Sequence, residues 1–524
     1  MIPSSQNHDL TSISETLEEV VEMGRTFEEK IKRRSSRYSI GDVPVIDERA
    51  KLAVWRKALY GFGNFSRYTV IGIQAYFLNV FLLEVAGLSP GWAGTILLVK
   101  NLYDGVTDPL IGRLSDRIQT RWGRRKPWIV VGTIPSGIFW VLQWYSPKFT
   151  EDRVGLAVLY FTVVLLAFST MNTFVSVPYN AMVPDVAVDY DDRTAVVLFQ
   201  ELFGLSAVII FSFFQAETVE FFRDEDGIIN YRKGYAVAGL VTVWAVIIPM
   251  ILAILPVSER KNVTKDDEEY GDRSVIAKAL LWVLYFIKSL IKALMFKEFF
   301  LIVVVFVGCM IAIYIFVNNF VLYLKYVLHI EDQTSYLMLI VQVTCTGSII
   351  FWGLLCKKIG KKLTFFIGCT FWIGGSIIIF FISDDNIKLF YLIAFFRAAG
   401  SGVGYLIPLA MLPDIIELDF LKNRLKREGI LYSLMILIQK TGVGFALTAS
   451  NYVLGWVGYV KPEKQTTSEQ VDDYQSDSVI MAFRILLCIV PIFCILISLI
   501  AIYFIKVDRE TLEKAGDPLF KPKR

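Results

Sequence analysis

Histidine is almost absent from this 524-residue sequence, and its cysteines are few and scattered. The two histidines, His8 and His329, do not lie deep in an apolar stretch, so proton transfer by histidine is excluded as the main chemistry. The six cysteines all lie in apolar stretches, at spacings that fit neither a disulfide framework nor a metal site. The sequence has no glycine-rich nucleotide loop and no recognisable nucleophile with its base. We therefore expect neither an enzyme nor a resident cofactor.

Apolar residues, in contrast, are abundant. They make up 55% of the chain, and the mean hydropathy is +0.52, which is typical of a protein that crosses a membrane many times. A helix needs about 20 apolar residues to span a bilayer, and about 12 windows of that kind are present. The sequence therefore predicts an all-α polytopic membrane protein with spans near 57–83, 91–114, 128–146, 154–182, 194–215, 234–256, 299–322, 334–356, 363–382, 387–411, 430–456 and 479–506.

The segments outside these windows are polar. We expect a disordered cytoplasmic tail over residues 1–54 and a cytoplasmic tail over 508–524. Between the sixth and seventh windows, residues 258–297 form a charged linker. Its apolar run 275–296 carries Lys278, Lys288 and Lys292, which favours an amphipathic helix on the membrane surface. A thirteenth span is the alternative.

Basic residues crowd alternate loops, after the second, eighth and tenth windows, and the opposite loops are acidic or mixed. By the positive-inside rule this distribution places both termini in the cytoplasm. The ends of the second and eighth windows are alike, with Gly112-Arg-Leu-Ser-Asp-Arg matched by Gly353-Leu-Leu-Cys-Lys-Lys. They occupy equivalent positions in two halves of six spans, 55–257 and 298–507. Such a duplicated half resembles the major facilitator superfamily, in which two bundles rock about a central site.

Asp104 and Asp108 stand four residues apart inside the second apolar window. That spacing puts both carboxylates on one face of a helix, one turn apart. Ionisable residues at membrane depth are costly and usually mark an ion or substrate path. Two like charges this close also need a cation or a basic side chain between them. The pair therefore predicts a cation-coupling site, and a purely structural polar network is the alternative.

Several motifs narrow the resemblance, and they fall in order over about residues 55–510. The chain is similar to the glycoside-pentoside-hexuronide:cation symporters, the family of melibiose permease, whose animal relatives include the sodium-dependent lysophosphatidylcholine symporters. The motifs are Lys57-Ala-Leu-Tyr-Gly-Phe-Gly-Asn-Phe, Tyr103-Asp-Gly-Val-Thr-Asp-Pro-Leu-Ile-Gly, Arg121-Trp-Gly-Arg-Arg-Lys-Pro-Trp-Ile, Val177-Pro-Tyr-Asn-Ala-Met-Val-Pro, Arg427-Glu-Gly-Ile-Leu-Tyr-Ser and Gln439-Lys-Thr-Gly.

The resemblance implies a cation site at the aspartate pair and its neighbours. The matching positions are Asp104, Thr107, Asp108 and Thr173, whose hard oxygens suit Na⁺, with H⁺ or Li⁺ left open. Lys440 matches the one buried base that faces the pair in this family. It could neutralise the carboxylates and release them when the cation binds, which would couple cation and substrate. A lysine that extends to the membrane interface is the alternative.

The positions that fix a galactoside in the bacterial permease hold Tyr68, Ser176 and Glu201 here, so all three sugar-binding groups are changed. Arg67 lies beside Tyr68, and we expect it to pair with Glu201; contact with a substrate anion or an aqueous vestibule is the alternative. These changes favour a lysophospholipid-like amphiphile as substrate. A sugar symporter of the same family is the second candidate, and a lipid scramblase or channel is the third.

The resemblance also implies a cytoplasmic gate of ion pairs, whose removal should shift the conformational population. Its positions are Asp116, Arg121, Arg124, Arg125, Asp414, Arg427 and Glu428. We expect the plasma membrane as location, because no retention signal is visible at the C-terminal end of the sequence. We also expect a monomer. The expected partners are the substrate and membrane lipids, and no nucleic acid is expected.

Overall fold

The computed structural model describes residues 53–117, 120–150, 153–187, 190–222, 230–255, 293–382, 386–423, 428–460 and 475–506. Apart from a few residues at their ends, the N-terminal tail, the charged linker with its 275–296 run and the C-terminal tail lie outside these ranges. The predictions for those three segments are therefore not addressed by the structure.

Twelve long helices make up most of the described residues. Their bounds are α1 Val54–Val85, α2 Pro90–Arg117, α3 Lys126–Gln143, α4 Val154–Ala181, α5 Tyr190–Glu220, α6 Tyr231–Ile254, α7 Lys297–Tyr326, α8 Thr334–Ile359, α9 Lys361–Phe381, α10 Ile387–Asn423, α11 Glu428–Trp456 and α12 Asp477–Phe504. In the described part of the chain, β-structure is limited to one isolated bridge between Thr120 and Gly123. Each helix coincides with one of the predicted apolar windows, and the predicted all-α fold class is confirmed.

Ten of these helices are long enough and apolar enough to cross a membrane by composition alone. The two that fall short are α2 and α3. Helix α2 carries three charged residues, Lys100, Asp104 and Asp108, in its middle. These charges lower its mean hydropathy. Helix α3 is short, at 18 residues, and contains Pro135. Both pack between apolar neighbours within the bundle, and α2 lies against α4 and α11.

Proline interrupts six of the twelve helices: α2, α3, α4, α6, α10 and α12. A proline inside a helix cannot donate to the carbonyl four residues earlier. In α2 the proline is Pro109, directly after Asp108, so the carbonyl of Gly105 does not receive the usual helix hydrogen bond from residue 109. Helices α1 and α12 also contain a π turn near the outer end, Phe81–Val85 and Ile485–Ile489, which rotates the helix face.

The apolar cores differ between the two ends of the bundle. We use "outer" for the ends that the charge distribution predicts to be extracellular and "inner" for the opposite ends. At the outer ends one cluster joins both halves of the chain, with Phe81, Trp144 and Phe161 from the first half and Phe390 and Phe483 from the second. At the inner ends each half has its own separate cluster among the described residues. The two halves therefore share a core only on the outer side.

Polar contacts follow the same division. At the outer ends the hydrogen bonds that cross between halves include Tyr76 to Gln342, Asn451 to Asn79, Thr448 to Gly94, Ser335 to Glu217, Tyr231 to Glu331, and the contacts of Lys325, Tyr326 and Tyr459 with Glu84. At the inner ends Lys57 pairs with Asp192 inside the first half, and Lys361 pairs with Asp414 inside the second. The structure is therefore a conformation that is closed on the outer side.

Candidate functional site

The carboxylate of Asp108 is the centre of the candidate site. One of its oxygens, Oδ1, accepts a 2.9 Å hydrogen bond from the hydroxyl of Thr173 on α4. The other oxygen pairs with the ammonium of Lys440 on α11, so this ion pair crosses from the first half of the chain to the second. The side chains of Lys440 and Asp108 are 34% and 25% exposed. The pair is thus neither fully buried nor freely solvated, which leaves it able to exchange partners.

Asp104 lies one turn further along α2 toward the outer side. The ammonium of Lys100 is 3.5 Å from its Oδ2 atom, and its Oδ1 atom is buried without a hydrogen-bond partner. A buried carboxylate oxygen that accepts no hydrogen bond carries a desolvation cost. A bound cation would remove that cost. The unpartnered oxygen is therefore the strongest local indication that this carboxylate binds a positive ligand.

The two threonines of the predicted site are placed differently. Thr173 contacts Asp108 directly, whereas the hydroxyl of Thr107 donates to the carbonyl of Tyr103 in its own helix at 3.0 Å. A hydroxyl that donates to a carbonyl keeps its lone pairs for a cation. The phenol of Tyr103 in turn contacts the hydroxyl of Thr170 at 2.8 Å. Carboxylate and hydroxyl oxygens on α2 and α4 thus provide the hard donors that suit Na⁺.

Close packing of α2 on α11 brings Lys440 to the aspartates. A Cβ atom on Gly444 would lie 2.8 Å from the Cβ of Asn101, and one on Gly105 would lie 3.1 Å from Leu437. Glycine at these two positions lets the helix axes approach without a clash. Because Gly444 is one turn from Lys440, the same contact fixes the height of the ammonium beside Asp108.

The expected ion pair between Arg67 and Glu201 is wrong for this structure. Arg67 donates instead to the side-chain oxygens of Asn64 at 2.8 Å and Asn180 at 2.9 Å. Glu201 accepts a 2.8 Å hydrogen bond from the hydroxyl of Tyr68. Arg67 and Glu201 therefore both have uncharged hydrogen-bond partners. Adjacent residues on a helix point about 100° apart, so Tyr68 rather than Arg67 faces α5.

The remaining residues that the sequence singled out near the substrate path are Ser176 and Tyr68. Ser176 lies one helical turn beyond Thr173 on α4 and is half-buried. Tyr68 lies within electrostatic range of Tyr314 and Tyr405. Tyrosines from α1, α7 and α10 therefore converge between the two halves, at the level where a substrate would have to pass.

Two residues of the predicted cytoplasmic gate make contacts within their own half of the chain. Arg125 donates to the carbonyl of Ala181 at 2.5 Å, and Asp414 accepts from Lys361 at 2.5 Å. Arg121 is exposed, and Arg124 is half-buried. The side chains of Asp116, Arg427 and Glu428 lie outside the described part of the chain. The gate stays a prediction, and an outer-closed conformation is the one in which it would be open.

Two features of this arrangement were not predicted from the sequence. Lys100, four residues before Asp104, could have been found from its helical spacing. The cluster of Glu84, Lys325 and Tyr326 at the outer side also escaped notice, although a glutamate and a lysine at the ends of two apolar windows were a signal. Glu84 is 2% exposed and Lys325 is 8% exposed, with 2.9 Å between their charged atoms.

Comparisons with known proteins give a consistent result. A family model described as MFS/sugar transport protein matches residues 59–509. An uncharacterized symporter of Synechocystis is 26% identical, over 88% of this chain and 95% of that protein. The sodium-dependent lysophosphatidylcholine symporter 1-A of Danio rerio is 25% identical, over 90% of this chain and 89% of that protein. Among solved structures, a bacterial homolog of the human lysosomal transporter Spinster, in an inward-facing conformation, covers 90% of this chain and 98% of its own, with 13% identity and a TM-score of 0.58.

Proposed function

Because the chain belongs to the MFS/sugar transport protein family, we propose that it is a Na⁺-coupled symporter for a lysophospholipid-like amphiphile. Family membership makes it a multi-pass integral membrane transporter and not an enzyme. We also propose that it acts as a monomer in the plasma membrane. The observation that carries the coupling mechanism is the ion pair between Lys440 and Asp108, which joins the two halves of the chain beside a second carboxylate.

Coupling follows from competition for Asp108. A Na⁺ ion that binds Asp104 and Asp108 with the hydroxyl oxygens of Thr107 and Thr173 neutralises the carboxylates in place of Lys440. The ammonium of Lys440 is then released toward the space between the halves, where it can bind an anionic group. Removing one partner from a partly buried pair is unfavourable unless another charge replaces it. Cation binding and substrate binding therefore favour each other, which is the requirement for symport.

The groups around the path support an amphiphile with a phosphate. Arg67 is held by two neutral amides rather than by a carboxylate, so its charge is still available to a phosphate. The acids that bind a galactoside in the bacterial permease are replaced by Tyr68 and Ser176. The relative from Danio rerio carries lysophosphatidylcholine in its name and aligns over nine tenths of this chain. Sugar transport is the second candidate, favoured only by the family description.

Alternating access supplies the cycle. In the present conformation the two halves of the chain share an apolar core at their outer ends, while their inner ends pack separately. A substrate at the level of Lys440 is therefore closed off from the outer side and can leave inward. The predicted cytoplasmic gate residues would close this inner path in the opposite conformation. The pairing of Lys440 with Asp108 beside a second carboxylate favours this cycle over a scramblase or channel.

Uptake of labelled lysophosphatidylcholine tests the proposal. Cells that express the protein should accumulate the lipid in Na⁺ buffer and not in choline buffer, and Asp108→Ala should abolish the difference. A matched control is Asp477→Ala, which removes an exposed aspartate at the outer end of α12. Uptake that is independent of Na⁺ and survives Asp108→Ala would contradict the coupling site. Absence of lipid uptake together with Na⁺-dependent sugar uptake would favour the second candidate.

A further inference from the structure

Arg397 on α10 is a charge inside the bundle with no counter-charge among the described residues. It is 3% exposed, and its guanidinium carbon lies 3.3 Å from the centre of the Phe316 ring on α7. Its Nε and Nη2 atoms are buried without a hydrogen-bond partner. Buried arginines are almost always paired, because an uncompensated charge at membrane depth is costly. The Phe316 ring offsets part of that cost and leaves the hydrogen-bonding edge unused.

The geometry of the unused edge is specific. Nε and Nη2 are the two nitrogens on one side of the guanidinium, and their N–H groups point the same way. This is the edge that binds two oxygens of a phosphate or carboxylate in parallel. The electrostatic neighbours of Arg397 are Tyr76, Cys345 and Cys488, none of which is a carboxylate. The local chemistry therefore fits an anion that is supplied from outside the protein.

Arg397 lies further outward than the coupling site. It is ten residues from Ile387, the outer end of α10, which is about 15 Å along a helix at about 1.5 Å per residue. Lys440 is sixteen residues from Trp456, the outer end of α11, which is about 24 Å. A substrate that enters from the outer side therefore reaches the level of Arg397 before it reaches Lys440.

One neighbour of Arg397, Tyr76, comes from the other half of the chain. Tyr76 on α1 interacts electrostatically with Arg397, and its hydroxyl donates to Gln342 on α8 at 3.2 Å. Arg397, Phe316 and Gln342 all belong to the second half. When the outer ends of the two halves separate, we expect α1 to withdraw Tyr76 and so make the guanidinium edge accessible from the outer side. This step needs only the rocking motion of the two halves.

We infer that Arg397 is the outer phosphate-binding residue of the substrate path: it receives the phosphate of an incoming amphiphile and passes it on toward Lys440. This inference rests on the proposed function, and it assigns to one arginine a role on one side of the membrane. The chemistry it recognises is a phosphate mono- or diester, whether attached to a lipid or free.

The test compares half-saturation on the two sides of the membrane. Arg397→Gln should raise the external half-saturation concentration for lysophosphatidylcholine about tenfold or more, since a charge-assisted bidentate contact is lost. In inside-out vesicles, substrate added from the inner side should show the wild-type value. Arg397→Lys, which keeps the charge, should restore much of the external affinity. The matched control is Arg56→Gln, because Arg56 also stacks on a ring, that of Trp55 at 5.3 Å, but is exposed.

Competitors identify what is recognised. External glycerophosphocholine should inhibit wild-type uptake and lose this effect in Arg397→Gln, whereas a monoacylglycerol, which has no phosphate, should act equally on both. Inhibition by inorganic phosphate as strong as by glycerophosphocholine would assign the site to free phosphate. Equal half-saturation in wild type and Arg397→Gln, or an equal loss on both sides, would overturn the inference.

A binding measurement keeps the inference separate from the proposed function. If wild-type protein takes up no lysophosphatidylcholine, the transport proposal fails, but protection of the purified protein against thermal unfolding can still be measured. Protection by glycerophosphocholine that disappears in Arg397→Gln supports the phosphate site, and protection that persists refutes it. If Arg397→Gln does not fold, Arg397→Met replaces it, since it also removes the charge and both edge donors, and the same loss of protection is expected.

Discussion

The competition between Lys440 and Na⁺ for Asp108 leads to an unusual expectation. Lys440→Ala should bind Na⁺ more tightly than the wild-type protein, although it no longer couples Na⁺ to substrate. In the wild type, Na⁺ has to displace an ammonium that already neutralises Asp108. In the variant the same carboxylates carry their charge without that competitor. An improvement in cation affinity by removal of a binding-site residue is not expected from any purely structural role of the lysine.

The size of the gain can be worked out from the burial of the pair. Fully exposed ion pairs contribute about 0.2–1 kcal/mol, and breaking a buried one costs about 3–5 kcal/mol. With side chains 34% and 25% exposed, this pair lies between those limits. We therefore estimate about 1–2 kcal/mol, which corresponds to about a 5- to 30-fold lower dissociation constant for Na⁺.

Thermal unfolding of purified protein at increasing Na⁺, with choline chloride to keep the ionic strength constant, measures this affinity without transport. A ligand that binds only the folded state raises the unfolding temperature with a dependence set by its dissociation constant. Lys388→Ala, which removes an exposed lysine at the outer end of α10, is the control and should titrate like wild type. An unchanged or weaker Na⁺ affinity in Lys440→Ala would refute the competition between lysine and cation.

Three further predictions concern residues around this site and the outer closure. Glu84→Gln should weaken the outer cluster and lengthen the distance between spin labels on the outer ends of α2 and α10; an unchanged distance distribution would show that the cluster does not hold the outer side closed. Thr173→Val should weaken Na⁺ binding several-fold, since about 1 kcal/mol is lost with a hydroxyl donor, whereas Thr162→Val, elsewhere on α4, should bind Na⁺ normally; equal titrations would exclude the hydroxyl as a ligand. Gly444→Val should push α11 away from Asn101 and reduce Na⁺-coupled uptake at normal expression, and full activity would mean that the helices relax around the added carbons.

Much of the fold could be predicted because hydropathy records the depth of the bilayer. The apolar windows located all twelve helices, but they underestimated the length of some. Helix α10 continues to Asn423, twelve residues beyond the predicted window 387–411, because a helix does not end where its apolar residues end. The window of α2 was recognised despite its charges because the flanking residues are apolar.

The candidate site was predictable as a set of residues but not in its contacts. Spacing along α2 placed Asp104 and Asp108 on one face, and the family resemblance pointed to Lys440, which the structure brings to Asp108. The pairing of Arg67 with Glu201 failed because the sequence does not record the rotation of a helix about its axis. Arg67 and Tyr68 differ by about 100° of rotation, and this difference decides which of them meets Glu201.

The shared outer core has a thermodynamic consequence. Opening the outer side exposes apolar surface of both halves, including the rings of Tyr76 and Phe320 that contact each other across the halves, to water or lipid tails. Where water enters, the heat capacity of the protein rises, because hydration of apolar groups carries a large positive heat capacity. The driving force for closure then weakens on cooling. A transport cycle limited by outward opening should therefore show a curved Arrhenius plot, with a population that shifts toward the outward-open form in the cold.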